Sequence, residues 1–89
     1  MAYTVEFAPA ADRQLKALPK PIQTQIIRRI EKLETNPRPP GCEKLKGADD
    51  LYRIRFGDYR IIYTTNDKDL LVLVVKIADR IDVYRRLAK

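Results

Sequence analysis

The dipeptide Gly57-Asp58 constrains the fold of this chain more than any other pair of residues, because it separates two runs with the alternation of β-strands. Leu51 to Phe56 precedes it and Tyr59 to Thr65 follows. Glycine then aspartate suits a two-residue type II′ or I′ turn, whose twist matches that of the strands it joins. Such a turn fixes the register: Arg55 faces Arg60, and Arg53 faces Ile62. Side chains alternate across a strand, so Arg53, Arg55 and Arg60 share one face. Tyr52, Ile54, Phe56, Tyr59, Ile61 and Tyr63 share the other, which is the face a layer of helices can cover.

The covering layer is legible upstream. Tyr3, Val5 and Phe7 alternate with Thr4 and Glu6 as a half-buried strand. Pro9 suits the first turn of a helix, and Ala11, Leu15 and Leu18 give it an apolar stripe. Pro19 closes that helix and Pro21 opens a second. Here Ile22, Ile26, Ile27, Ile30 and Leu33 recur at helical spacing, with Gln25, Arg28, Arg29 and Lys32 on other faces. Asn36-Pro37, followed by Pro39, Pro40 and Gly41, stops it and makes an extended connection. The short link between the helices predicts an antiparallel helical hairpin.

Beyond the β-hairpin a polar turn, Asn66 to Asp69, leads into Leu70 to Ile77. That run is so apolar and β-branched that it reads as a central strand covered on both faces. The charged tail from Asp79 to Lys89 reads as a short helix or an extended segment. The order predicts an α+β fold: an N-terminal strand, a two-helix antiparallel hairpin, then a three-stranded antiparallel meander, with the helices packed on one face of the sheet. A single domain over residues 1–89 suits the size of one small core.

Eighteen Lys and Arg against twelve Asp and Glu leave a net charge of +6, which favours polyanionic partners such as nucleic acid. The excess is even: 7 basic and 4 acidic residues up to Pro40, 11 and 8 beyond it, +3 in each part. It is therefore arranged by the fold and not carried by a tail. There is no histidine, and Cys42 is the one cysteine. This excludes imidazole catalysis, a Cys-His pair, a conventional zinc site and an internal disulfide. The three glycines, Gly41, Gly47 and Gly57, are isolated, so no phosphate loop or dinucleotide fingerprint is present. Arg, Lys, Tyr and carboxylates remain, a set that phosphoryl transfer tolerates because positioning and charge stabilisation dominate it. The N-terminus lacks the pattern of a signal peptide, and the longest apolar stretch, Leu70 to Val75, is too short to span a membrane. Work in the cytoplasm, away from membranes, is the expectation.

Two readings of the arginine face stand side by side. Like charges directly opposite on a sheet repel, so Arg55 against Arg60 calls for a compensating acid or an anionic ligand. In one reading the face is solvated and its charges are met by Asp58, Asp49, Asp50, Asp79 or Asp82. In the other it is a phosphate cradle for RNA, for which the planar, permanently charged guanidinium is well suited. Lys44 and Lys46 lie just before the hairpin, Arg80 and Tyr84 follow the last strand, and closure of the fold would bring Arg80 to the same patch.

Four segments together are similar to the RelE toxins of bacterial and archaeal toxin–antitoxin systems. They are Lys44-Leu45-Lys46-Gly47; Leu51-Tyr52-Arg53-Ile54-Arg55; Gly57-Asp58-Tyr59-Arg60-Ile61-Ile62-Tyr63; and the stretch from Val74-Val75-Lys76-Ile77 to Asp82-Val83-Tyr84-Arg85. The resemblance, to the RelE branch of the RelE/ParE superfamily, covers nearly the whole chain. It implies an mRNA endoribonuclease that enters the ribosomal A site and cuts the bound message without a metal or other cofactor. It also implies a cognate antitoxin that wraps the toxin, in a hetero-oligomer able to bind operator DNA.

The implied reaction is attack of a ribose 2′-OH on the adjacent phosphate with departure of the 5′ oxygen. Carried over by position, Arg60 and Arg53 meet phosphate and transition-state charge, Arg80 serves the leaving group, and Tyr84 orients or activates the nucleophile. Lys46 and Lys44 fall among the substrate contacts. Arg55 stands where the family pattern has a lysine, and Asp79 where many relatives have a histidine. Arginine is too reluctant to deprotonate to act as a base. Two other functions fit the same arginines: a ParE-like inhibitor of DNA gyrase, and a non-catalytic module that contacts phosphates only.

Overall fold

Gly57 lies in the left-handed region at φ 58° while Asp58 does not, which selects the type II′ turn of the two that the sequence allows. A computed structural model of the chain describes residues 2–45 and 51–79. The strands are β1 (Thr4–Phe7), β2 (Glu43–Lys44), β3 (Leu51–Phe56), β4 (Tyr59–Asn66) and β5 (Leu71–Asp79), and the helices α1 (Pro9–Lys16) and α2 (Lys20–Glu31). A 3-10 turn, Lys32–Glu34, extends α2. The five strands form one sheet in the order β1-β5-β4-β3-β2. β1 runs parallel to β5, and the other neighbours are antiparallel.

The expected meander is present, enlarged at its edge by the two-residue β2. Two residues bounded by a proline-rich loop carry no periodicity to reveal a strand. The expectation that β5 is covered on both faces needs correction. Both described helices pack on one face, where Val72, Val74 and Ile77 are buried, while Leu71, Leu73 and Lys76 remain partly exposed. The apolar run reflects a central position between β1 and β4 more than a second covering layer.

The core joins Ala11 and Leu15 of α1, Ile26 and Ile30 of α2, and Leu33 to Ile54, Ile61, Tyr63, Val72, Val74 and Ile77 of the sheet. Each large side chain buried there stabilises the fold by roughly 1.5–3 kcal/mol. Ile27, read as part of the helical stripe, is 37% exposed, because the stripe is broader than the line that touches the sheet. The proline link between the helices is tied by Gln23, whose Nε2 donates to the carbonyl oxygens of Leu18 at 2.6 Å and Lys16 at 3.3 Å. The Lys16 carbonyl is one that the end of α1 leaves without an internal partner.

Two features seat β5. Its register against β4 shifts between Ile62 and Tyr63, so that Val75 is an extra residue, a β-bulge. Past Phe7, β1 no longer covers the β5 edge, and the N–H of Ile77 donates to Oε1 of Gln14 on α1 at 2.7 Å. No helix among the described residues is long and apolar enough to cross a membrane.

Candidate functional site

Opposite the helices the sheet presents its basic face. Arg55 pairs with Arg60 and Arg53 with Ile62, as the turn requires. On the covered face Ile54, Ile61 and Tyr63 are buried, with Tyr52, Phe56 and Tyr59 packed against them. Arg55 is exposed and Arg60 half-buried. Among the described residues neither meets an acid.

Arg53 does, and the acid is not one that the sequence suggested. Glu43 on β2 stands directly opposite Arg53 and its Oε2 accepts from Nη2 in an ion pair. The Arg53 side chain is only 19% exposed, and its Nε is buried without a partner among the described residues. Glu43 thus neutralises one arginine, and among the described residues no acid does the same for the Arg55–Arg60 pair. Asp58 of the turn enters no ion pair among the described residues.

The bulge adds a cation. Lys76 pairs with Ile62, which shares the face of Arg53 and Arg60, and Ala78 pairs with Arg60. Val72 and Val74 point into the core, so an unbroken strand would bury Lys76 and expose Ile77. The extra residue at Val75 reverses this. Lys76 then lies diagonally beside Arg60, within reach of a long side chain. The sequence holds Lys76 in plain view, but only the register shift reveals its face.

Other expected site residues separate. Lys44 pairs with Tyr52 and so belongs to the helix side of the sheet's rim, away from the arginines. Lys46, Arg80 and Tyr84 lie outside the described residues, as do Asp49, Asp50 and Asp82. Arg53, Arg55 and Arg60 are brought together, and Glu43 and Lys76 join them.

The loop after α2 is fastened to the opposite end of the hairpin. Arg38 donates from Nη2 to both carboxylate oxygens of Asp67 at 3.1 Å and from Nη1 to Thr65 Oγ1 at 3.1 Å. Its guanidinium lies 5.8 Å from the Tyr52 ring centroid, and Tyr52 stacks on Tyr63 at 5.9 Å. Tyr3 donates its hydroxyl to Asp67 at 2.7 Å, which with Arg38 holds that carboxyl below its ordinary range. The Tyr63 hydroxyl donates to the Pro37 carbonyl at 2.8 Å, and burial, then the neighbouring Cys42, pushes its pKa well up. Tyr63 is therefore a strut and not an acid or base.

Residues 5–84 match the family model for the ParE toxin of type II toxin–antitoxin system, parDE. Over 87 residues the chain is 30% identical to the toxin RelG of Mycobacterium tuberculosis, covering 97% of this chain and all of that one. Its fold superimposes on RelE in the archaeal RelE–RelB complex of Pyrococcus horikoshii with a TM-score of 0.79. That match has 35% identity and covers 90% of this chain and 97% of the other. The chain belongs to the RelE family of type II toxin–antitoxin toxins. The RelE toxin of Escherichia coli K12, named an mRNA interferase, is 28% identical over 93 aligned positions, covering all of this chain and 97% of its own length. As a RelE toxin, this chain keeps the two-helix layer on a mixed sheet and carries Arg53, Arg55 and Arg60 on the face opposite the described helices.

Proposed function

We propose that this RelE toxin is a ribosome-dependent mRNA endoribonuclease of the cytoplasm, held inactive by a cognate antitoxin. The observation that carries the reading is the uncovered sheet face. Arg55 opposes Arg60, Lys76 lies beside them, and Glu43 is the one described acid that meets an arginine there. Three cations that meet no acid among the described residues, on a rigid sheet, suit an anion whose charge grows during reaction. The Escherichia coli relative is named for this activity, and several structural neighbours are complexes with an antitoxin.

The chemistry is transfer within the RNA strand. The 2′ oxygen bonds to phosphorus as the bond to the 5′ oxygen breaks, leaving a 2′,3′-cyclic phosphate and a 5′-OH. The 2′ proton departs and a proton reaches the 5′ oxygen. Arg60 and Arg55 meet the non-bridging oxygens, where guanidinium forks bind in two-point fashion. Arg53, turned toward Glu43, holds the strand or stiffens the face. The roles of base and leaving-group partner fall to Tyr84 and Arg80, with Lys46 as a further substrate contact. An arginine at position 55 leaves the transition state well supported and removes one candidate base.

Growth arrest by Arg60→Ala combined with Arg80→Ala tests the reading. The double variant should bind antitoxin as before and lose arrest, with cleavage down about 10²–10³-fold for the loss of one preorganised donor alone. Undiminished arrest by that variant contradicts the site. It would favour a ParE-like gyrase inhibitor, the reading that the name of the family model suggests.

A further inference from the structure

We propose a second RNA contact: a cationic groove on the helix side of β3, which takes the phosphodiester backbone of the strand bound on the sheet face as it continues past Arg55. It rests on the RNA-cleavage reading above and adds a surface which that reading does not use.

The groove has a volume of about 330 Å³, with Arg29 and Lys32 on one wall, Ile54 and Arg55 at its base, and the loop Pro39 to Gly41 on the other wall. A smaller hollow of about 190 Å³ shares Arg29 and Lys32 and adds Arg28 and Phe56. Four cations thus line a continuous surface, and no acid lines either part. Among the described residues none of the four forms an ion pair. The Arg29 guanidinium sits 5.4 Å from the Phe56 ring centroid, which gives one cation a fixed platform.

Cations at the end of a helix are favoured by its dipole, and this accounts for Arg28 and Arg29 in the last turn of α2. It does not account for Arg55, which arrives from the sheet. Arg55 is also the hinge of the inference: it borders the groove and stands opposite Arg60 on the uncovered face, so one strand can touch both. β2 pairs only with Tyr52 and Arg53, so beyond them the described sheet leaves the β3 edge open toward the groove.

An added peptide strand fits poorly, because the facing wall includes Pro39 and Pro40, which have no N–H to offer it. A phosphate backbone needs only the cations. The loop that forms the wall is itself fixed, by Arg38 on Asp67 and by the Tyr63 hydroxyl on Pro37. The groove is therefore present before any ligand arrives.

The test uses the full chain, two 2′-O-methyl RNA probes that cannot be cleaved, one of roughly 20 nucleotides and one of roughly 6, and salt titration of binding. Arg28→Gln with Lys32→Gln alters two exposed side chains and should keep the fold, checked by circular dichroism. For the long probe the slope of log affinity against log salt should fall by about 1.4, from about 0.7 per phosphate contact, with the short probe unchanged. An unchanged slope for the long probe overturns the groove. So does equal weakening of both probes, or loss of antitoxin binding with RNA binding intact, which would make the groove a peptide site. Arg60→Ala should weaken the short probe. If it does not, the cleavage-site reading has failed independently of the groove.

Discussion

Arg55 and Arg60 occupy directly opposing positions on β3 and β4, two like charges that the described fold leaves without an acid between them. Such pairs destabilise a sheet by roughly 0.2–1 kcal/mol. Replacing Arg60 with threonine should therefore stabilise the isolated toxin by about 0.5 kcal/mol while abolishing growth arrest. Urea unfolding alongside a toxicity assay measures both. A variant that is less stable and equally toxic contradicts the assignment of the pair to ligand binding.

Glu43 is the counterweight to Arg53. Glu43→Gln should cost about 1 kcal/mol in chemical unfolding, since it leaves a largely buried arginine without its partner. It should also tighten binding of a short RNA, because it removes the described acid that meets an arginine of the face. Weaker RNA binding would mean that Glu43 organises Arg53 for the ligand.

Lys76 reaches the basic face through the bulge at Val75. Lys76→Gln should leave the unfolding midpoint within about 0.5 kcal/mol, as for an exposed substitution, and should weaken RNA binding. Deletion of Val75 should leave the protein folded, because it removes the bulge and the regular strand that results keeps Lys76 outward and Ile77 in the core. A deletion variant that unfolds, seen by circular dichroism, would contradict the register.

Much of this arrangement is readable from the residues. The Gly57-Asp58 turn fixes which side chains of the hairpin share a face, and the spacing of Ile22, Ile26, Ile30 and Leu33 gives the covering helix. What escaped has physical causes. A bulge is a one-residue shift without a compositional mark, so Lys76 hid inside an apolar run. β2 is too short for a period, which concealed Glu43 and turned Lys44 to the wrong side of the rim. Lys46, Arg80 and Tyr84 lie beyond the described residues, and their roles rest on the resemblance to RelE toxins.

Asp67 ties the loop after α2 to β1 and to the β4–β5 turn. The Tyr3 hydroxyl, then Arg38, lower its pKa from the ordinary 3.8. A carboxyl with a lowered folded pKa contributes stability that is complete above its unfolded value and lost as pH falls through the folded one. Asp67→Asn should therefore lie below the parent in thermal midpoint at neutral pH and converge with it in acid below 3.8. Parallel curves across that range would show that the contact contributes nothing.

The central claim is that the uncovered arginine face cuts RNA on the ribosome. Purified toxin added to ribosomes carrying a defined message in the A site, with 5′ ends mapped by primer extension, measures this most directly. The expected result is a cut within the A-site codon, a 2′,3′-cyclic phosphate on the upstream fragment, no cut in free message, and loss of cleavage in Arg60→Ala. Intact message on ribosomes, with a toxin that still arrests growth, would contradict it.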